Sequence, residues 1–291
     1  RNNPHVDCVF FYPDNKSVHN QLSFINQIKR EQFDVYFDLW GSVRTAFFGF
    51  LAGIPKRVGR HFRVRRWFYT HIIESKKQKL PAPQFYLEYL EAVNITKKHF
   101  EAPQIFLRPE EKQWARTYFE AQGVNFERAL VGLQPGASWP NKIWPEQKFV
   151  QLANRLLDHG YQVLVTWGPG EEDLARSIIS QVTGTVFELP PQPLRQLAAA
   201  LSCLQILISN DCGTMHLAVA AGTTTIGLFG ATEPEIWFPY QTPHQAIYAP
   251  VPCRPCHKNY CPLGTLECLQ SIEVDRVFKA VQKVIAESVC V

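Results

Sequence analysis

An α/β fold built on parallel sheets is what this 291-residue sequence predicts, from three observations. Short apolar runs alternate with helix-period segments nearly throughout, which is the mark of successive βαβ units. The composition is 46% hydrophobic and 19% charged, with 16 Gly and 21 Pro, an ordinary globular balance that excludes collagen-like, disordered and low-complexity classes. No apolar run approaches the ~18 residues of a membrane span, and no repeat recurs at a fixed period of ~20–50 residues, so a solenoid is not expected.

The elements follow in order. Residues 6–12 read as a strand, 18–30 as a helix, 33–39 as a second strand and 43–52 as a helix. The stretch 55–83 breaks this rhythm, being basic, aromatic and bounded by prolines. A further helix includes 88–93, and 105–107 reads as a short strand. Pro109 opens a helix over 110–122, where its missing N–H costs nothing. A second series starts after Ala129, with strand 130–134, then helix 146–159 capped by Gly160. Strand 162–166, helix 171–179, strand 185–188, helix 194–201, strand 205–209, helix 213–221 and strand 224–229 complete it. An amphipathic helix over 273–286 follows a cysteine-rich segment. Two such series, with a seam near 108–129, predict two Rossmann-like domains facing across a cleft, 1–108 and 109–291, the first incomplete with three strands. The chain opens Arg1-Asn2-Asn3-Pro4-His5, without Met or the apolar core of a signal peptide. A missing leading βαβ unit would account for both that start and the short first domain.

Three βα loops of the second half carry small residues before a helix start: Pro135-Gly136-Ala137-Ser138, Trp167-Gly168-Pro169-Gly170 and Ser209-Asn210-Asp211-Cys212-Gly213-Thr214. In an open parallel sheet, ligands bind at the carboxyl ends of the strands, where these loops lie. Helix-start N–H groups bind anions and glycines admit a phosphate to the backbone, so the expected ligand is phosphorylated. None of the loops is a Gly-x-Gly-x-x-Gly or Walker loop, which disfavours ordinary dehydrogenases and P-loop ATPases. Lys142 sits between Trp139-Pro140 and Trp144-Pro145. An ammonium on so stiff a segment can neutralise a phosphate leaving group, the alternative being a surface lysine with its stem packed on a tryptophan. Asp211 falls where a strand ends and a helix begins, so helix capping is its simplest role. His216 follows one turn later.

Cys253, Cys256, Cys261 and Cys268 crowd into one short segment interrupted by Pro255, Pro262 and Gly264. Four thiolates suit tetrahedral zinc or iron, and reduced thiols or disulfides are the alternatives. The role expected of any metal is structural. The net charge of +4 is mild, but Lys56, Arg57, Arg60, Arg63, Arg65 and Arg66 cluster among His61, Phe62, Trp67, Phe68 and Tyr69.

The ordered motifs Ser138…Lys142-Ile143-Trp144-Pro145, Trp167-Gly168-Pro169-Gly170-Glu171 and Asn210-Asp211-Cys212-Gly213-Thr214-Met215-His216 resemble those of the ADP-heptose:lipopolysaccharide heptosyltransferases, glycosyltransferase family 9. Phe229-Gly230-Ala231-Thr232-Glu233-Pro234, the cysteine-rich tail and the first-domain run from Phe33 to Ser42 fit the same family. The resemblance implies a GT-B fold and transfer of heptose from ADP-heptose to the lipopolysaccharide inner core. Lys142 and Asp211 would be catalytic. Ser138 and Lys142 would hold the diphosphate, with Gly213, Thr214 and His216 completing its site, and Gly168 would belong to the nucleotide-sugar site. Glu171 would bond the ribose, the backbone near Gln192 would face the adenine, and Asp211 would orient the sugar. Cys212 stands where the family often has Ser or Thr, so a hydroxyl contact is not assumed there. Arg60 and Arg63 would meet an anionic lipid acceptor, with leaflet attraction adding ~1 kcal/mol per basic residue.

The same resemblance implies a cytoplasmic protein, peripheral at the inner face of the inner membrane. It implies no cofactor required for catalysis, although autotransporter relatives hold iron through cysteines of this region. Family members also begin with a Gly-Asp loop whose Asp is the general base. Nothing here matches it, so the chain is expected to start downstream of that loop and to be inactive without it. Asp38 at a strand end is the nearest substitute, with a buried or capping role the simpler reading. Alternatives are another nucleotide sugar, a protein acceptor, or a basic metal-knuckle protein on nucleic acid. The last leaves the three phosphate-type loops unexplained, so no nucleic acid is expected.

Overall fold

The computed structural model describes residues 3–13, 17–74, 81–96, 102–238, 240 and 243–289. The chain forms two compact units, Val6–Glu101 and, with Arg1–His5, Ala102–Val291. The sequence places the seam seven residues later, at 108/109. Residues 102–108 go with the larger unit because Ile105 N–H donates to Ala220 O at 2.9 Å and the Arg195 guanidinium donates to Phe106 O at 2.8 Å. That bonding is too sparse for a ladder, so the strand expected at 105–107 is absent.

In the smaller unit, helix α1 (Val18–Arg30) buries Ile25 and Ile28 against Phe48, Ala52 and Ile54. Strand β1 (Val35–Phe37) leads to α2 (Val43–Leu51), whose first turn Ser42 and Thr45 close as a capping box. Strand β2 (Lys56–Arg60), a 3₁₀ turn over Arg63–Phe68, strand β3 (His71–Ile73) and helix α3 (Ala82–Glu91) follow. The strands form a parallel sheet in the order β1-β2-β3. Residues 6–12 make no strand; the Tyr12 ring instead packs edge-on against Phe24 with centroids 5.3 Å apart. Two of the three strands lie inside the basic stretch, where the buried Val58 is masked in sequence by Arg57 and Arg60.

The larger unit opens with α4 (Pro109–Glu120), β4 (Leu130–Gln134), α5 (Glu146–Asp158), β5 (Gln162–Thr166) and α6 (Glu172–Gln181). Next come β6 (Val186–Leu189), α7 (Leu194–Leu201), β7 (Ile206–Asn210), α8 (Gly213–Ala220) and β8 (Thr224–Phe229). Short α9 (Pro234–Trp237), β9 (Gln245–Tyr248), short α10 (Glu267–Gln270) and α11 (Val274–Val289) end it. All six strands are parallel, in the order β6-β5-β4-β7-β8-β9, which is the doubly wound Rossmann arrangement. Strands β4, β5 and β7 are buried along their whole length, as a sheet covered on both faces requires. Val131, Leu133, Val163, Val165, Ile206 and Ile208 face α5, α6 and α11. Leu130, Leu164 and Leu207 face α4, α7 and α8, the period-2 alternation of a strand.

Strand order reverses between β4 and β7, so the loops after them open a crevice at the carboxyl edge, where ligands of such sheets bind. Trp144, just past the first of these loops, is fully buried, and its indole N–H donates to Ile272 O at 3.1 Å. Its ring meets Phe149 edge-on at 4.9 Å. Phe149→Ala should cost about 3–5 kcal/mol, read as a lower denaturation midpoint in urea with the slope unchanged.

Candidate functional site

At that edge lies a pocket of about 850 Å³, a size that suits a small-molecule ligand. It gathers Ser138, Gly168, Glu171, Gln192, Gly213, Thr214 and His216, so residues proposed from four separate loops share one cavity. Lys142 and Asp211 lie beside it, Asp211 immediately preceding the pocket residues Cys212 and Gly213.

One side chain ties the loops together. Asn210, fully buried at the end of β7, donates through Nδ2 to Pro135 O at 2.6 Å. Its Oδ1 accepts the Trp144 backbone N–H at 3.1 Å. Both ends of the 135–144 segment are thereby fixed to β7. Within that segment the Lys142 ammonium sits 2.7 Å from Asp211 Oδ2 and 4.6 Å from the Trp139 ring centre. The ammonium itself, rather than the stem, lies over the tryptophan ring. Asp211 does not cap α8, whose N-cap is Cys212 without a side-chain bond. Its Oδ2 instead also accepts the Thr232 hydroxyl at 2.5 Å. Thr232 is 3% exposed and was missed as a site residue. Its signal was available, since it lies in the small-residue turn Gly230-Ala231-Thr232 after β8, a fourth loop of the kind read after β4, β5 and β7.

Glu171 projects back from the start of α6. Its Oε2 accepts Gly168 N–H at 2.7 Å and Gln134 Nε2 at 2.9 Å, which leaves acceptor capacity on the carboxylate. Gly170 makes the turn at φ +83°, a conformation glycine adopts freely. A Cβ on Gly136 would stand 2.0 Å from the Glu171 carboxylate, so a side chain there would push that carboxylate aside.

His216 lies one turn into α8, its Nδ1 2.9 Å from the Tyr240 hydroxyl. Burial pushes its pKa below the ordinary 6.5; Asp211 opposes that shift and Lys142 adds to it. The imidazole is therefore neutral at pH 7, and it senses both charges of the pair. The Cys212 thiol is pushed up by burial, and its sulfur lies 3.4 Å from Ser209 Oγ.

In the smaller unit, Arg60 does not project freely. Its guanidinium stacks 3.2 Å from the Phe85 ring centre and donates to Glu88 Oε2 at 2.8 Å. Arg63 is exposed in the 3₁₀ turn. Much of the aromatic interleaving is internal, with Arg57 on Phe50, Arg65 on Phe62 and Arg66 on Trp67. Asp38, 2% exposed, accepts from Gly41 N–H, the Thr45 hydroxyl and the Tyr69 hydroxyl, the last at 2.7 Å, a structural engagement that explains its burial.

The four clustered cysteines line one cavity of about 30 Å³. Among the described residues, no three His, Cys, Asp or Glu side chains stand close enough to hold a metal ion. All four are unpaired thiols. Their environments also differ: backbone N–H groups, led by that of Leu266, draw the Cys261 thiol down, while burial and the neighbouring thiols push Cys268 up. No described helix is long and apolar enough to cross a membrane.

Residues 21–267 match the model of glycosyltransferase family 9 (heptosyltransferase). Lipopolysaccharide heptosyltransferase 2 of Escherichia coli K12 is 26% identical over 224 residues, covering 72% of this chain and 63% of that relative. A family 9 glycosyl transferase structure from Veillonella parvula aligns with a TM-score of 0.80 at 24% identity, over 94% of this chain and 81% of that one. An Escherichia coli heptosyltransferase solved with ADP gives 0.68 at 19% identity, over 91% and 77%. These likenesses establish the GT-B fold. The curated relative is longer, since the chain spans 63% of its length.

The electrostatics of the pocket are open to direct measurement. His216 should titrate below pH 6.5 by NMR, and Asp211→Asn should lower its pKa further by removing the charge that favours the imidazolium. With the folded-state pKa depressed, protonation costs stability as pH falls below 6.5, and the cost is complete below the folded-state value. A His216 pKa that rises in the Asp211→Asn variant would contradict this placement.

Proposed function

The chain belongs to glycosyltransferase family 9, and we propose that it binds ADP-L-glycero-D-manno-heptose and transfers the heptose to the inner core of lipopolysaccharide. The observation that carries this reading is the Lys142–Asp211 pair at 2.7 Å, beside a pocket at the strand-order switch whose wall presents Glu171 and the start of α8. The names of the relatives support the sugar and the acceptor class, and the neighbour solved with ADP supports the nucleotide.

In this reading the diphosphate lies between Lys142, Ser138 and the first turn of α8. The helix N-terminus and the ammonium together meet the charge that grows on the β-phosphate. Glu171 accepts a ribose hydroxyl with its spare lone pairs, and the adenine lies toward Gln192. Asp211 orients the sugar while its other partners hold it still. The acceptor hydroxyl oxygen bonds to the anomeric carbon as the carbon–oxygen bond to the β-phosphate breaks and ADP departs with the electron pair. The hydroxyl proton goes to a base that we do not assign. No cofactor is needed in this scheme. Arg63 and the exposed arginines near it face an anionic acceptor at the cytoplasmic surface of the inner membrane.

Calorimetry with ADP, UDP and GDP tests the donor assignment, and UDP binding as tight as ADP would overturn it. Lys142→Ala should weaken ADP binding by about tenfold to a hundredfold, the worth of a charged hydrogen bond of ~1.5–3 kcal/mol. A structural zinc or iron is a separate part of the proposal. It requires the four sulfurs to close on their small cavity, and elemental analysis of the purified protein should then find one equivalent of metal.

A further inference from the structure

The turn that carries Thr232, the hydroxyl partner of Asp211, is held by the cysteine-bearing segment. The backbone N–H groups of Cys256 and His257 both donate to Ala231 O, at 3.1 and 3.0 Å. The Arg254 guanidinium enters the same turn: Nε donates to Gly230 O at 3.1 Å and Nη2 donates to Thr232 O at 2.8 Å. The guanidinium is braced by the Tyr248 ring, whose centre is 4.3 Å from Cζ. Both carbonyls are thus pinned by one rigid planar fork, a geometry that a single ammonium cannot reproduce.

Thr232 is the residue that this fork controls. Its carbonyl accepts from Arg254, and its hydroxyl donates to the Asp211 oxygen that Lys142 approaches. We propose that Arg254 is a positioning residue of the site: by fixing the 230–232 turn it aims the Thr232 hydroxyl at Asp211, which in turn sets where the Lys142 ammonium rests. Arg254 itself touches neither member of the pair. The cysteine-bearing segment then has a role in the pocket that requires no metal, because it delivers this fork.

The proposal rests on the donor-site reading only for its ligand-binding readout, so two measurements are combined. In the first, ADP affinity is taken by calorimetry for the wild type, Arg254→Met, Thr232→Val and the double variant. Arg254→Met should weaken ADP about tenfold, and the double variant should be no weaker than Thr232→Val by more than about twofold, because both changes cut one chain of contacts. A general structural role would give additive losses.

In the second measurement, Lys142 is labelled with acetic anhydride in the nucleotide-free protein and read by peptide mass spectrometry. Labelling should rise several-fold in both single variants, with Lys148 unchanged. Where Arg254→Met does not fold, Arg254→Lys carries the same test, since it leaves one of the two carbonyls without its donor. Lys142 labelling that stays at the wild-type level, or additive losses of ADP affinity, overturns the proposal. Failure of the wild type to bind ADP overturns the donor reading alone, and the labelling still decides the role of Arg254.

Discussion

The buried amide of Asn210 is the constraint on which the site depends. A parallel sheet brings the ends of β4 and β7 side by side, but it does not by itself fix the chain that leaves them. Asn210 does so with both ends of one side chain, donating to Pro135 and accepting from Trp144. Fully enclosed, it has no water with which to replace either partner, so loss of one bond would leave a desolvated polar atom. The Trp139–Lys142 turn is therefore anchored to the strand that also carries Asp211, and the opposite charges meet because their backbones are already tied.

That arrangement explains how an ammonium can remain beside a carboxylate in a half-closed site. Lys142 is 15% exposed and Asp211 6%, so neither is fully hydrated and neither is alone. Thr232 and the Trp139 ring absorb part of the desolvation cost, the first by hydrogen bonding and the second by its electron-rich face. In the proposed donor site, a diphosphate would exchange one anionic partner of the ammonium for another, without first having to order a long flexible side chain.

The second domain was legible in the sequence because its strands are buried on both faces and read as short apolar runs between glycine-bearing turns. Strands 130–134 and 162–166 and helix 194–201 agree to the residue. The first domain was less legible for a physical reason. Its β2 carries Arg57 and Arg60, which stack on local rings and hide the buried Val58, while the run 6–12 forms no ladder and leaves Val6, Val9 and Phe11 exposed. The pocket residues were readable as loops after strands. Arg254 was not, because it bonds the 230–232 turn from a segment more than twenty residues on, and only the folded chain reveals that proximity.

The indole of Trp144 reaches the carbonyl of Ile272 across 128 positions of the chain, and α11 covers the face of the sheet that this ring helps to fill. During synthesis, strands β4, β5 and β7 leave the ribosome long before that covering helix exists. The part of their aliphatic face that α11 covers therefore stays open until Val274–Val289 emerges, about sixty residues after β7 and more than a hundred after β4 and β5. Apolar surface left open in this way is what makes a nascent chain prone to association.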